Sequence, residues 1–116
     1  MPLGRRSRAG AVPSAAPKFD TRLSIAYARS SGGLFSGAVK SREQACLAGR
    51  KVTVYLKQGG RDKAVGNSTS SRSGGWSVAP RGSVAAGDYY AATRANGLGP
   101  GAGICGAAKS VTTHAS

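Results

Sequence analysis

From Phe19 onward the chain alternates apolar and polar residues with a period of two, the repeat of a strand with one buried face. Leu23, Ile25 and Tyr27 alternate with Arg22, Ser24 and Ala26. After the turn signal Ser30-Ser31-Gly32-Gly33, Phe35, Gly37 and Val39 alternate in turn, with Gly37 placed for a bulge or a bend. The clearest strand runs from Gly49 to Lys57. Its Val52, Val54 and Leu56 point one way and its Thr53, Tyr55 and Lys57 the other, with the β-branched content that strands favour. Gln58-Gly59-Gly60-Arg61-Asp62 reads as a hairpin turn into a weaker strand, Ala64 to Ser71. Arg72-Ser73-Gly74-Gly75 then turns the chain into Trp76-Ser77-Val78. Asp88 to Arg94 forms a sixth strand and Ala108 to Thr113 a last short one.

Short strands at this spacing predict an all-β fold, an antiparallel seven-stranded Greek-key β-sandwich of immunoglobulin or prealbumin type. No window carries the i, i+3, i+4 apolar spacing of a helix, and 18 Gly with 5 Pro disfavour long helices. The expected core is Ile25, Val39, Val52, Val54, Leu56, Val78 and Trp76, the single tryptophan serving as its anchor. Tyr89 and Tyr90 are strand neighbours, so one faces the core and the other the surface. Residues 1–18, with three prolines and no periodicity, read as a flexible basic N-terminal arm; residues 19–116 read as one β-sandwich domain.

Composition adds a problem of stability. Leu, Ile, Val and Phe together number 18 of 116 residues, a poor supply for a core. The only two cysteines, Cys46 and Cys105, bracket the best-patterned stretch, which suggests one disulfide. In the chain-entropy model a loop of that length is worth roughly 4 kcal/mol, comparable to the whole net stability of a small domain. Two free thiols in a reducing compartment look the same in sequence. The oxidising compartment implied by a disulfide also has no visible counterpart in residues 1–17, which lack the apolar stretch of a signal peptide. A secreted or cell-surface location is therefore the expectation and a cytoplasmic one the alternative.

Charge is one-sided: 17 Lys and Arg against four acids, a formal +13. Such a surface attracts polyanions, whether nucleic acid, acidic glycans, teichoic-type polymers or anionic headgroups. The composition bias of a GC-rich genome yields the same excess. Arg5, Arg6 and Arg8 cluster in the arm, while Arg50, Lys51, Lys57, Arg61 and Lys63 cluster about the third strand and its turn. Together with Tyr55 the second cluster is the candidate polyanion or ligand contact. Against it stands a plainer role: Lys on edge strands blunts aggregation, and Tyr55 packs against a neighbouring strand.

Catalytic chemistry finds no support. The acids Asp20, Glu43, Asp62 and Asp88 are scattered, and the lone His114 sits near the terminus. No nucleophile elbow, phosphate loop or zinc spacing occurs, so no enzyme, cofactor or metal is expected. Gly97 to Gly103 is glycine-dense but reads as a flexible loop. No apolar run is long enough to span a bilayer as a helix.

Three segments carry a family likeness. Gly49-Arg50-Lys51-Val52-Thr53-Val54 resembles the G-x-x-V-x-V strand of carboxypeptidase-regulatory-like domains, which belong to the prealbumin-like (transthyretin-like, Cna-B-type) sandwiches. Thr69 to Val78 is similar to their T-x-x-x-x-G-x-aromatic-x-V hairpin, with one extra residue before Trp76 and Ser70 where an Asp usually follows the Thr. Gly87-Asp88-Tyr89-Tyr90-Ala91 is similar to their G-x-Y strand start. The two cysteines resemble a disulfide-bearing variant frequent in secreted proteins of high-GC bacteria. The likeness covers roughly residues 34–113. The last strand holds no Asn, so the Lys–Asn crosslink of some Cna-B domains is not expected. The resemblance implies a non-catalytic secreted or surface module, a structural spacer or a ligand- or carbohydrate-contact domain. The alternative is a basic nucleic-acid or polyanion-binding protein, although the usual nucleic-acid-reading motifs are absent.

Overall fold

The alternation about Val52 and Val54 becomes the centre of the largest sheet. The computed structural model describes residues 17–29 and 33–116. The basic arm, up to residue 16, and most of the Ser30–Gly33 turn lie outside the described residues. Twelve strand segments are present: β1 (Lys18–Phe19), β2 (Arg22–Leu23), β3 (Ala26–Ala28), β4 (Leu34–Lys40), β5 (Lys51–Leu56), β6 (Lys63–Thr69), β7 (Gly75–Val78), β8 (Gly87–Thr93), β9 (Asn96–Gly97), β10 (Ile104–Cys105), β11 (Ala108–Lys109) and β12 (Thr113–Ala115). One 3₁₀ turn, Gln44–Cys46, interrupts them, and no α-helix occurs among the described residues. Lys18, placed in the arm by its sequence, already pairs within β1, alongside β10.

The strands form three sheets. In the five-stranded sheet β5 lies between β6 and β8, and β11 and β12 follow one another along the far edge of β8. In the four-stranded sheet β2 and β3 follow one another along one edge of β4, and β7 takes the other edge. All of these pairings are antiparallel. A small third sheet joins β9 and β10 as a hairpin and adds β1 parallel to β10. That hairpin occupies the expected loop at Gly97–Gly103. Gly103 holds φ +115°, and a Cβ there would stand 2.8 Å from the carbonyl oxygen of Pro17.

Twelve segments replace the expected seven because the small third sheet adds three and two outer strands each break at a serine. Between β2 and β3, Ser24 N donates to Ala38 O at 3.0 Å, and Ser24 Oγ accepts from Ala38 N at 2.9 Å. Between β11 and β12, Ser110 N donates to Ala91 O and Ser110 Oγ accepts from Ala91 N, both at 2.8 Å. In each break a hydroxyl replaces the missing ladder acceptor, so the inner strand's N–H stays paired. Gly37 belongs to the first break. A Cβ there would lie 1.9 Å from the Ser24 carbonyl oxygen, so only glycine lets the interrupted strand approach.

The two larger sheets share one core. Phe35, Val39, Trp76 and Val78 come from the four-stranded sheet, and Val52, Val54, Tyr89, Ala91 and Ala115 from the five-stranded one. Ile25 and Leu56, expected fully inside, pack against this cluster half-buried. Phe35 and Tyr89 bridge the two sheets with ring centroids 4.7 Å apart, and Tyr27 extends the cluster within the four-stranded sheet, 5.0 Å from its cross-strand partner Phe35; both pairs are tilted. Such pairs add about 0.5–1.5 kcal/mol each beyond the area they bury. Cys46, in the 3₁₀ turn, is bonded to Cys105 of β10, at a sequence separation of 59. The staple thus ties the small third sheet to the connection between β4 and β5.

Candidate ligand-contact face

The same alternation that turns Val52 and Val54 inward turns Lys51, Thr53 and Tyr55 outward. Cross-strand registers place Thr69, Asn67 and Ala64 beside them on β6, and Ala92 and Tyr90 beside Thr53 and Tyr55 on β8. Small residues in the middle and larger ones at the ends make a trough of about 660 Å³ on the outer face of the five-stranded sheet. Thr53, Ala64 and Ala92 line it, Tyr55 stands at one end, and Lys51, Asn67, Arg94 and Asn96 supply polar groups. No acidic residue lines it.

Tyr55 is held in place rather than loose. Its ring stacks on Tyr90 at 5.4 Å between centroids with 22° between the planes. Lys109 Nζ sits 5.3 Å from the centroid of Tyr90, within cation–π range. The Tyr90 hydroxyl donates to Asp62 Oδ2 at 2.5 Å, and Asp62 Oδ1 accepts from Gln58 N at 3.2 Å. The hydrogen bond to Asp62 pushes the Tyr90 phenol up to about 12. The same bond, seconded by Gln58 N–H, holds the Asp62 carboxyl below its ordinary value. Tyr89, its neighbour, faces the core as alternation requires, and its hydroxyl donates to Ala85 O at 2.6 Å.

With Lys51 and Arg94 among its lining residues and no acid, this face is positive. Asp62 is occupied by Tyr90 and Gln58, Glu43 accepts from Ala45 N at 3.1 Å, and Asp88 pairs with His114 Nδ1 at 2.9 Å. That Asp88–His114 contact is the single ion pair among the described residues, and no Lys or Arg among them takes part in one. Among them too, no three of His, Cys, Asp and Glu gather as a metal site would need.

The candidate residues separate into three groups. Lys51 and Tyr55 line the trough with exposed or half-buried side chains, and Arg50 borders it. Lys57, Arg61 and Lys63 are exposed about the β5–β6 turn beyond Tyr55, and Lys63 lines a different depression. Arg50 is not a surface cation at all: it is 1% exposed. Its Nη1 donates to Cys46 O at 3.0 Å and Thr21 Oγ1 at 3.2 Å; its Nη2 donates to Gly106 O at 2.8 Å and Arg94 O at 3.0 Å. Burial lowers its pKa, yet an arginine stays charged, and the four acceptors replace water around it. Arg50 is therefore a structural tie beside the disulfide, and a free anion does not reach those donors.

Arg94, Asn67, Asn96 and Lys109 complete the face and carry no sequence motif. Arg94 directly follows β8, one step past the register that brings Thr93 opposite Val52. Only the strand pairing shows it to be a neighbour of Lys51. No family model, curated protein or solved structure matches the chain.

Proposed function

We propose that this chain is a non-catalytic, secreted or cell-surface β-sandwich module that contacts an acidic glycan through the outer face of β5, β6 and β8. The observation that carries the reading is the trough itself: Lys51 and Arg94 beside Asn67, Asn96 and Thr53, a buttressed Tyr55 ring at one end, and no lining acid. Carboxylate or sulfate groups meet the cations, sugar hydroxyls meet the amides and the threonine, and a sugar ring has an aromatic surface beside it.

Counting each serine-broken strand once gives seven strands in the two larger sheets, which supports the Greek-key sandwich and the resemblance to prealbumin-like modules. The Cys46–Cys105 bond supports export, because disulfides persist in oxidising compartments. That compartment also favours glycan over nucleic acid as the polyanion, the charge of +13 being neutral between the two.

The test is binding to a heparin oligosaccharide across a salt series, for the parent and for Lys51→Glu/Arg94→Glu. The expected result is tight, salt-sensitive binding by the parent and a loss of at least tenfold in the variant. Equal binding by both proteins removes the trough from the account. Binding to duplex DNA that exceeds heparin at matched salt transfers the function to the nucleic-acid reading.

A further inference from the structure

The two larger sheets end side by side in two strands with open edges. β6 pairs only with β5, and β7 pairs only with β4, so each leaves one backbone edge without a strand partner among the described residues. The strands pinch together at one point, where a Cβ on Gly66 would lie 2.6 Å from Val78 Cγ1. Two depressions follow one another along β6, the first spanning that pinch. One, about 590 Å³, runs between Lys63–Asn67 and the loop Ala79–Ala85, with Leu56, Val65, Val84 and Tyr89 giving it an apolar lining. The other, about 330 Å³, is lined by Ser68, Thr69, Gly75, Trp76 and Ser77.

A second, independent observation falls at the same place. Trp76 Nε1 and Ser68 Oγ are buried polar atoms with no hydrogen-bond partner. They are the two such side-chain atoms among the described residues, and both belong to residues lining the smaller depression. Trp76 is 5% exposed, so its indole N–H is shut away from bulk water. A buried donor left unmade costs on the order of 1–3 kcal/mol and calls for a partner.

We propose that this seam takes an extended acidic peptide, added as a strand to the free edge of β6. The chemistry of strand addition fits: main-chain hydrogen bonds from a seven-residue edge supply attachment, and alternate side chains enter the pockets. Sign selects the occupant. The cations at the seam are Lys63 and Arg81, and neither depression has an acidic lining residue. Pairing with a second copy meets the opposite condition, because two chains of formal charge +13 repel and Lys63 lies on the edge itself.

The probe is a capped seven-residue peptide alternating Glu and Val, with a fully N-methylated version and a Lys-for-Glu version as controls. Two readouts are followed: amide hydrogen exchange of β6, and the emission of the chain's one tryptophan, Trp76. The acidic peptide slows β6 exchange at least tenfold and shifts Trp76 emission, and neither control does so. Lys51→Glu/Arg94→Glu, which alters only the outer trough, retains the full response. No change in β6 exchange overturns the proposal, as does equal protection by the Lys-for-Glu peptide. Protection that rises with protein concentration in the absence of peptide assigns the seam to a second copy, and loss of the response in Lys51→Glu/Arg94→Glu assigns the peptide to the trough; either result overturns it too.

Discussion

The guanidinium of Arg50 donates to the carbonyl oxygen of Cys46 at 3.0 Å, and Cys46 is the residue whose sulfur is bonded to Cys105. The same guanidinium reaches Gly106 O, one residue past Cys105. The ionic side chain and the covalent bond therefore clamp the same two segments. Arg50 has no carboxylate beside it; backbone carbonyls and one hydroxyl satisfy it, and their removal from water is compensated only while the side chain is there.

Arg50→Met accordingly leaves two buried carbonyls, Cys46 O and Gly106 O, and the part-buried Arg94 O without this donor. It lowers unfolding free energy by about 3 kcal/mol in urea denaturation. Arg50→Lys does not restore the loss, because an ammonium lacks the planar fork that reaches all four acceptors. The losses from Arg50→Met and from a Cys46→Ala/Cys105→Ala pair are non-additive, since both free the same loops. Strict additivity in a double-mutant cycle contradicts the shared clamp.

The serine stitches give a graded pair of outcomes. Ser110→Ala strands Ala91 N in the buried centre of the larger sheet, since Ser110 itself is 9% exposed. It costs about 1–2 kcal/mol. Ser24→Ala frees Ala38 N at an exposed break, where water substitutes, and costs less than about 1 kcal/mol. Thermal melts of the two variants side by side check the order. Gly37→Ala is worse than either, because its Cβ meets the Ser24 carbonyl.

Much of this was legible in the chain and some was not, for identifiable reasons. Alternation placed Val52, Val54, Val78 and Trp76 in the core, because a strand's period is set by its own residues. Arg50 shares the parity of Val52 and Val54, so the same period already pointed it inward; grouping it by charge with Lys51 hid that. Phe35 and Tyr89 also carry the core, and alternation alone does not rank them above Ile25 or Leu56. The stack of Tyr55 on Tyr90 and the nearness of Arg94 to Lys51 depend on pairing between strands some 35–45 residues apart, about which local pattern is silent. The serine breaks were invisible for the same reason: each is defined by the partner strand's N–H.

Tyr90 and Asp62 form a titrating pair with a stated direction. The Tyr90 phenol is raised to about 12 by its hydrogen bond to Asp62. A raised pKa means that the stabilisation is complete below the ordinary tyrosine pKa near 10 and is lost as pH rises through about 12. The depressed Asp62 carboxyl works oppositely: its stabilisation is present above the ordinary carboxyl range and is lost as pH falls through its lowered pKa. One bond underlies both limbs, so Asp62→Asn returns Tyr90 toward 10. Burial raises the Tyr89 phenol as well, so phenolate absorbance in an alkaline titration is followed in a Tyr89→Phe background; an unchanged late-titrating tyrosine there on Asp62→Asn contradicts it.

Residue-resolved NMR during titration with a heparin oligosaccharide shows whether the outer face of β5, β6 and β8 is the proposed glycan-contact surface. The expected shifts are confined to the trough, at Lys51, Thr53, Tyr55, Asn67, Arg94 and Asn96, and fade together as salt rises. Shifts spread evenly over every cation, or absent from these six residues while binding persists, contradict it.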